Sequence, residues 1–543
     1  MALTPRGRDS LLLRVTPPSP SLPWRIASGD GPLALVSEAP HRANSLVQRI
    51  GNVVVVRGNG SGNAAVYYHL DRDQVEIDTD LDRLVAHTAA SGLDHDSLLH
   101  FVWRGRPIAG RTLYAGIYRL GPADELVCAP SLRPAVRRVA WTLEAKSVPA
   151  DAEPRGLITE TLARIRSAIA SGQTAKAAVL LSGGVDSSLL AALASQRSID
   201  VTGFTVEFDP AYGLNETSHA QRVAEFLGIE HRIVRLTAHQ ALRHLDTVLA
   251  ARRPRAAPAA ITQAALMERI AQTGHERVLS GLGADECFGG YHKPLEHLAA
   301  LAHHLPRYSN ELGRLYALPL SRLLRLRNAL FFGIAEFFSL QELRAIAVDP
   351  GRVRELAAPD LTFYREALAF KAEAQPLELM AAHEYAFRLN ELLLPAFSTG
   401  AQAPEVEYPF LSSRVYPWAS SLDPALCYWH EDGAWWAKRL LRAAAGKLLP
   451  QDIIMRKRQV FLAPLAQWLL EKSWRIRVCD EIGDSAFWNL GVVHKHVRKD
   501  VLRKLHRYRS IDLEPRWQEQ LWLLLSLCAW VNRQPASATG RTQ

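Results

Sequence analysis

Two short stretches of the chain carry residue types that can bind a nucleotide and split it. The first reads Val179-Leu180-Leu181-Ser182-Gly183-Gly184-Val185-Asp186-Ser187-Ser188, an apolar run that opens into a glycine pair and a set of hydroxyls. Gly183 and Gly184 let successive backbone N–H groups curl toward an anion. Ser182, Ser187 and Ser188 add hydroxyl donors, and a helix starting here adds the positive end of its dipole. Together they suit a pyrophosphate group. Asp186 would repel phosphate unless a cation lay between them, so its presence implies Mg²⁺ shared by carboxylate and phosphate oxygens. The stretch lacks the lysine of the GxxxxGK[ST] pattern used in γ-phosphate transfer, which points instead to attack at the α-phosphorus with pyrophosphate leaving.

The second stretch, Val278-Leu279-Ser280-Gly281-Leu282-Gly283-Ala284-Asp285-Glu286-Cys287-Phe288-Gly289-Gly290-Tyr291, also follows a short apolar run. Its glycines keep backbone close to a ligand, and Asp285 and Glu286 supply hard oxygen donors. If the two runs are neighbouring parallel strands, Asp285 shares the metal with Asp186 across their carboxyl ends. Other features read as structure. His303-His304 and His494-Lys495-His496 lack a third ligand at sensible spacing, and Cys287 is expected to pack beneath the acidic loop.

The elements that must hold these loops follow from periodicity. Strands are expected over 177–181, 201–208, 231–236 and 277–280, with helices from Ser187 and over 216–227 between them. Such alternation predicts a doubly wound parallel sheet. Ahead of it, a Pro-rich and polar stretch at 147–154 reads as a linker, followed by a helix with Ile158, Leu162, Ile165 and Ile169 on one face. Residues up to about Thr142 read as β-rich and mostly antiparallel. Runs at 52–57 and 64–69 are expected to pair as a hairpin through the glycine-rich 58–63, and a further strand is expected at 116–120. The chain turns predominantly helical after about Leu298. A basic stretch from Lys495 to Arg509 with Val497, Val501 and Leu505 at helical spacing reads as a solvated helix face, and 521–531 as a buried helix.

Length and composition bound the rest. At 543 residues, with 48% hydrophobic and 22% charged residues, the chain is long enough for two or three packed domains and has the balance of a globular enzyme. A net charge of +9 favours phosphate-rich ligands without implying nucleic-acid binding. The cysteines, five in number, show no CxxC spacing, and no apolar run reaches the roughly 20 residues of a membrane span, so a reducing cytoplasm is expected.

The two motifs resemble those of the asparagine synthetase family of ATP-pyrophosphatase enzymes, which form acyl-adenylates and pass them to an amine. The segment Glu405-Val406-Glu407-Tyr408-Pro409-Phe410-Leu411 is similar to the family's stretch behind the active site. Leu449-Pro450 and Arg456-Lys457-Arg458-Gln459-Val460-Phe461 resemble its late basic motif, and 54–68 with 114–122 resemble its N-terminal glutaminase-type domain. The resemblance implies an α/β chain in two parts. Residues 1–146 would form an antiparallel, β-rich, glutaminase-like (Ntn-type) domain, and 155–535 a doubly wound ATP-pyrophosphatase domain with a helical extension. It also implies site roles. Leu181, Val206, Ser280 and Gly281 would contact ATP; Ser182, Gly183, Gly184, Asp186, Ser187 and Ser188 the pyrophosphate; Asp186 and Asp285 the Mg²⁺. Glu391, or else Glu384 or Glu378, would assist amine attack, and Arg458, with Lys457 as its possible substitute, would stabilise charge in amide formation.

Glutamine-dependent members begin with Met-Cys, the cysteine attacking glutamine. Here residue 2 is Ala2, so ammonia from glutamine is not expected. Members without that cysteine, similar to β-lactam synthetases and lasso-peptide cyclases, use an amine of the substrate itself. Leu282 stands where the β-lactam-forming enzymes have tyrosine and Arg458 where they have lysine, and both departures count against a β-lactam product. The expectation is an ATP-dependent macrolactam synthetase that joins an Asp or Glu side-chain carboxylate of a processed peptide to the peptide's α-amine. Its natural partners would be a leader peptidase and a leader-binding protein.

Overall fold

The structure, a computed structural model, describes residues 12–16, 25–28, 36–37, 47–50, 53–58, 65–71, 74–88, 92–122, 124–128, 135–137, 148–149, 151–169, 176–197, 199–290, 337–356, 381–382, 384–394, 404–431, 434–456, 463–508 and 515–539. Structural statements below concern these residues.

Short β-branched runs in the first 137 residues form ten strands: β1 (Leu12–Thr16), β2 (Arg25–Ser28), β3 (Val36–Ser37), β4 (Val47–Ile50), β5 (Val53–Arg57), β6 (Val66–Asp71), β7 (Gln74–Asp78), β8 (Ile117–Leu120), β9 (Glu125–Cys128) and β10 (Ala135–Arg137). They make two sheets, ordered β2-β1-β7-β6-β8 and β10-β9-β5-β4-β3, antiparallel throughout except between β3 and β4. Alternate residues of both sheets, among them Val54, Val56, Val66, Tyr68, Val75, Ile77, Leu120 and Leu126, meet in one buried cluster. That is how a period-2 pattern fills the space between stacked sheets.

The expected hairpin between residues 52–57 and 64–69 is not formed. β5 pairs with β4 and β9, whereas β6 pairs with β7 and β8 in the other sheet. Both runs are apolar on alternate positions because they face one another across the cluster. A glycine-rich connection states that the chain reverses, not whether it returns beside itself or in the layer opposite, about 10 Å away.

Helices α1 (Leu81–Thr88) and α2 (His95–Arg104) lie within this part of the chain. Asp94 caps α2 through Ser97 N and Gly105 ends it in the left-handed conformation. Beyond it, α3 (Pro154–Ile169) buries Ile165 and Ile169, with Ile158 and Leu162 packed beside them, as the spacing predicts.

The parallel sheet is built from β11 (Lys176–Leu180), β12 (Asp200–Glu207), β13 (Glu230–Arg235), β14 (Arg277–Leu279) and β15 (Glu405–Glu407), in the order β13-β12-β11-β14-β15. Between the strands run α4 (Val185–Ser195), α5 (Thr217–Leu227), α6 (Ala238–Leu249), α7 (Ala259–Gln272) and α8 (Ala284–Phe288). One face of the sheet packs on α3, α4 and α5, the other on α6 and α7. The order runs outward from β11 in both directions, so the chain changes direction between β11 and β14, and ligands of such sheets bind at the carboxyl ends there. β15 carries no strand signal in the sequence, since two of its three residues are acids. Glu407 is held in the sheet by Arg277, Nη2 to Oε2 2.8 Å, so ion pairing replaces the apolar pattern.

Strands β16 (Tyr428–Glu431) and β17 (Ala434–Ala437) form a separate hairpin that runs into α9 (Arg439–Ala445). Further on, α10 (Lys495–Arg507) buries Val497, Val501 and Leu505 and exposes its basic residues, and α11 (Pro515–Asn532) buries 521–531. No described helix is long and apolar enough to cross a membrane.

Candidate active site

The loops after β11 and β14 are shaped by their own backbone bonds. Leu181 continues the edge of β11, its N–H donating to Phe204 O at 2.9 Å and its carbonyl accepting from Thr205 Oγ1 at 2.5 Å. Ser187 Oγ accepts from Ser182 N at 3.2 Å and Ser182 Oγ from Gly184 N at 3.3 Å, which folds the turn over the first turn of α4. Ser188 Oγ is buried without a hydrogen-bond partner among the described residues. Gly183 has φ +72, and a Cβ there would lie 2.7 Å from Ala220 N, so only glycine lets the turn sit against the start of α5.

In the second loop Ser280 N donates to Glu407 O at 3.0 Å and Ser280 Oγ accepts from Leu282 N at 3.3 Å. A Cβ on Gly281 would lie 3.1 Å from Asp186 Cβ and 3.3 Å from Ser187 N. The two loops therefore touch at this glycine, directly over the change of direction in the sheet. Val206, buried at the end of β12, lies on the neighbouring strand. Cys287 is buried and its thiol donates to Phe410 O, as expected of a packing residue.

Asp186 and Asp285 converge on one point, which holds the ammonium group of Lys438. Nζ lies 2.5 Å from Asp186 Oδ2 and 2.7 Å from Asp285 Oδ1. Burial pulls the pKa of Lys438 down, and the Asp186 and Asp285 carboxylates more than reverse this, leaving it above its ordinary value. Lys438 is also left-handed, φ 62, where β17 turns into α9, and among the described residues it is the one non-glycine residue with positive φ. Sequence reasoning passed over it, because a lone lysine between Ala437 and Arg439 looks like any surface cation. Its backbone conformation is a tertiary property of the hairpin, whose Tyr428 packs on Gly289 at the end of the acidic loop.

The late basic motif reaches the first loop through Arg456, which donates to Ser182 O at 2.7 Å and pairs with Glu216 at 2.7 Å. Burial raises the pKa of Glu216, opposed by that arginine. Lys457 and Arg458, which follow, lie outside the described residues, as does Glu378. Glu391 belongs to a wide, π-helical segment, Glu384–Leu393, and its side chain is outside what the structure describes. The segment packs against α8, and Glu384 within it is buried.

Two carboxylates drawn together are a donor set for a magnesium ion, which would have to share Asp186 and Asp285 with the Lys438 ammonium that now lies between them. Among the described residues no group of three or more His, Cys, Asp and Glu comes together, so such an ion would take its remaining ligands from phosphate oxygens and water.

The chain is 27% identical over 251 residues to "Amidase chry2" of Gibberella zeae, covering 42% of this chain and 36% of that one. It is 25% identical over 368 residues to "Asparagine synthetase [glutamine-hydrolyzing] 1" of Bacillus subtilis, covering 64% of this chain and 55% of that one. The chain thus spans between about a third and about half the length of these relatives. Among solved structures, the NH3-dependent NAD synthetase of Campylobacter jejuni matches at 16% identity with a TM-score of 0.21, over 33% of this chain and 93% of that one. The asparagine synthase family matches residues 166–532, which include β11, β14, both loops and Lys438, and the chain belongs to that family.

Proposed function

We propose that the chain is an ATP-dependent, amide-forming ligase that adenylates a carboxylate and delivers it to an amine. The observation that carries this reading is the meeting of the two glycine-and-acid loops at the change of strand order, with Asp186 and Asp285 on one cation. Leu181, Val206, Ser280 and Gly281 would border the adenosine, and Ser182 to Ser188 the pyrophosphate. A Mg²⁺ held by Asp186 and Asp285 would draw charge from the phosphates. A carboxylate oxygen of the substrate attacks the α-phosphorus, the bond to the bridging oxygen breaks, and pyrophosphate departs with its charge offset by the loop N–H groups and Lys438. The amine nitrogen then attacks the acyl carbon and gives up a proton, and AMP leaves with the electron pair of the C–O bond. Lys457 or Arg458, following the tethered Arg456, would stabilise charge in that second step, and Glu391 would take the proton.

The amine we assign is the substrate's own. Leu282 and Arg458 depart from the β-lactam-forming pattern, which supports an isopeptide macrolactam of the lasso-peptide type as the product. The first region, two stacked and mostly antiparallel sheets, fits a glutaminase-type domain. Holding the amine beside the acyl carbon supplies much of the rate, since effective molarity is worth roughly 7–11 kcal/mol.

The test uses synthetic peptides with a free α-amine and one internal Asp or Glu, incubated with ATP and MgCl₂. Loss of one water per AMP formed supports ring closure. Asparagine formed from aspartate and ammonium, with every peptide unchanged, would replace the macrolactam reading by an ammonia-using synthetase. Absence of AMP under all conditions would remove the adenylation reading as well.

A further inference from the structure

The segment Glu384–Leu393 is an uncommon element. A run bonded i to i+5 is less well satisfied than an α-helix, and such turns occur mostly where function needs them. It therefore needs support from outside itself. On one side it packs on α8, the helix of the acidic loop, and Tyr385 stacks on Tyr416 with ring centroids 3.8 Å apart.

A residue from the first region of the chain meets the segment as well. Arg106, only 3% exposed, places its guanidinium carbon 4.2 Å from the ring centroid of Phe387, itself 6% exposed. A cation so near an aromatic face, with water excluded, is strongly held. The arginine is itself fixed: its carbonyl accepts a hydrogen bond from His100 Nδ1 at 2.9 Å, and its Nη1 donates to Pro107 O at 3.2 Å. His100 lies on α2, whose Trp103 carbonyl accepts from Phe337 N at 3.0 Å, so the whole support is built into the core.

We propose that Arg106 is a positioning residue for amide formation, holding the wide-helical segment Glu384–Leu393 against the acidic loop through Phe387. This rests on the adenylation reading above, and it gives the first region of the chain a part in amide formation. Removing the guanidinium lets the segment relax toward ordinary α-helical winding, which rotates the residues after Phe387 relative to α8. Nucleotide binding, which uses the loops after β11 and β14, is left alone.

The test separates the two half-reactions. In Arg106→Ala, release of pyrophosphate from ATP in the presence of a peptide probe should stay within about threefold of the wild type, while dehydrated product falls by roughly tenfold to a hundredfold. Arg106→Lys, which keeps a cation over the ring, should recover part of the loss. Phe387→Leu should reproduce the split and serves if the alanine variant does not fold. Amide hydrogen exchange over 384–394 should quicken in Arg106→Ala with no change in the loops at 182–188 and 280–286. A ratio of product to pyrophosphate equal to that of the wild type, or a parallel fall in both, would overturn the proposal. If the wild type releases no pyrophosphate with any probe, the adenylation reading fails, and the exchange measurement alone then decides: unchanged rates over 384–394 would dispose of the support role too.

Discussion

At the scale of residues, the centre of the site is a cation between two acids. Asp186 and Asp285 were legible in the sequence because each follows an apolar run and lies among glycines, a pattern whose chemistry requires a cation nearby. Lys438 was not legible, since it lies far along the chain and only the folded hairpin brings it in. Without it the two carboxylates face each other across a short distance with nothing between. Lys438→Met should therefore destabilise the chain by about 2–4 kcal/mol, below the cost of breaking a fully buried pair because both acids keep some exposure to water. Added MgCl₂ should raise the melting temperature of Lys438→Met more than that of the wild type, as the metal takes over the vacated charge. Equal shifts in thermal melts with and without MgCl₂ would show that the acids do not share a metal there.

Among elements, the loops work by close approach, and glycine is the device. Gly183 combines positive φ with contact to the α5 backbone, whereas Gly213 has φ +66 and open space within 4 Å of where a Cβ would stand. Ala at Gly213 meets only the left-handed penalty, about 1 kcal/mol, while Ala at Gly183 must also displace the start of α5 and should cost about 2–3 kcal/mol more. Urea denaturation of the two variants checks the difference, and equal losses would mean that the turn does not press on α5. These same glycines explain what sequence reading got right and wrong. The strand-turn-helix units at β11–α4 and β14–α8 declare themselves because apolar run, glycine and helix follow one another locally. The β5–β6 connection does not, because Val54, Val56, Val66 and Tyr68 show the same alternation whether their strands are neighbours or lie in opposed sheets. β15 was hidden for another reason: its place in the sheet rests on the pairing of Glu407 with Arg277, two residues that are far apart in sequence.

Over the whole molecule, α2 of the first region shares one continuous core with α6, α7 and the C-terminal helix α11, and Trp522 and Trp530 of α11 donate to the carbonyls of Arg255 and Arg252. The first region bears on the segment beside the acidic loop by a direct contact instead, Arg106 over the ring of Phe387. The same burial makes stability depend on pH. His231, His244 and His275 all have pKa values below the ordinary 6.5, in each case because burial disfavours the charged ring. Between their folded values and 6.5 the unfolded chain binds protons that the folded chain refuses. Stability therefore grows as pH rises through this window, is complete above 6.5, and is lost as pH falls through the folded values. Asp82 and Glu216, raised by burial, act in the opposite sense, so the histidine part must be isolated by a variant. His275 is the best choice, packed edge-on against Phe204 at 5.6 Å and bonded to Thr273 Oγ1 at 2.8 Å. His275→Gln cannot take up a proton at all, so its urea midpoint should fall less than that of the wild type between about pH 7.5 and about pH 5.5. A fall of the same size in both would mean that this imidazole is protonated alike in the folded and unfolded chains.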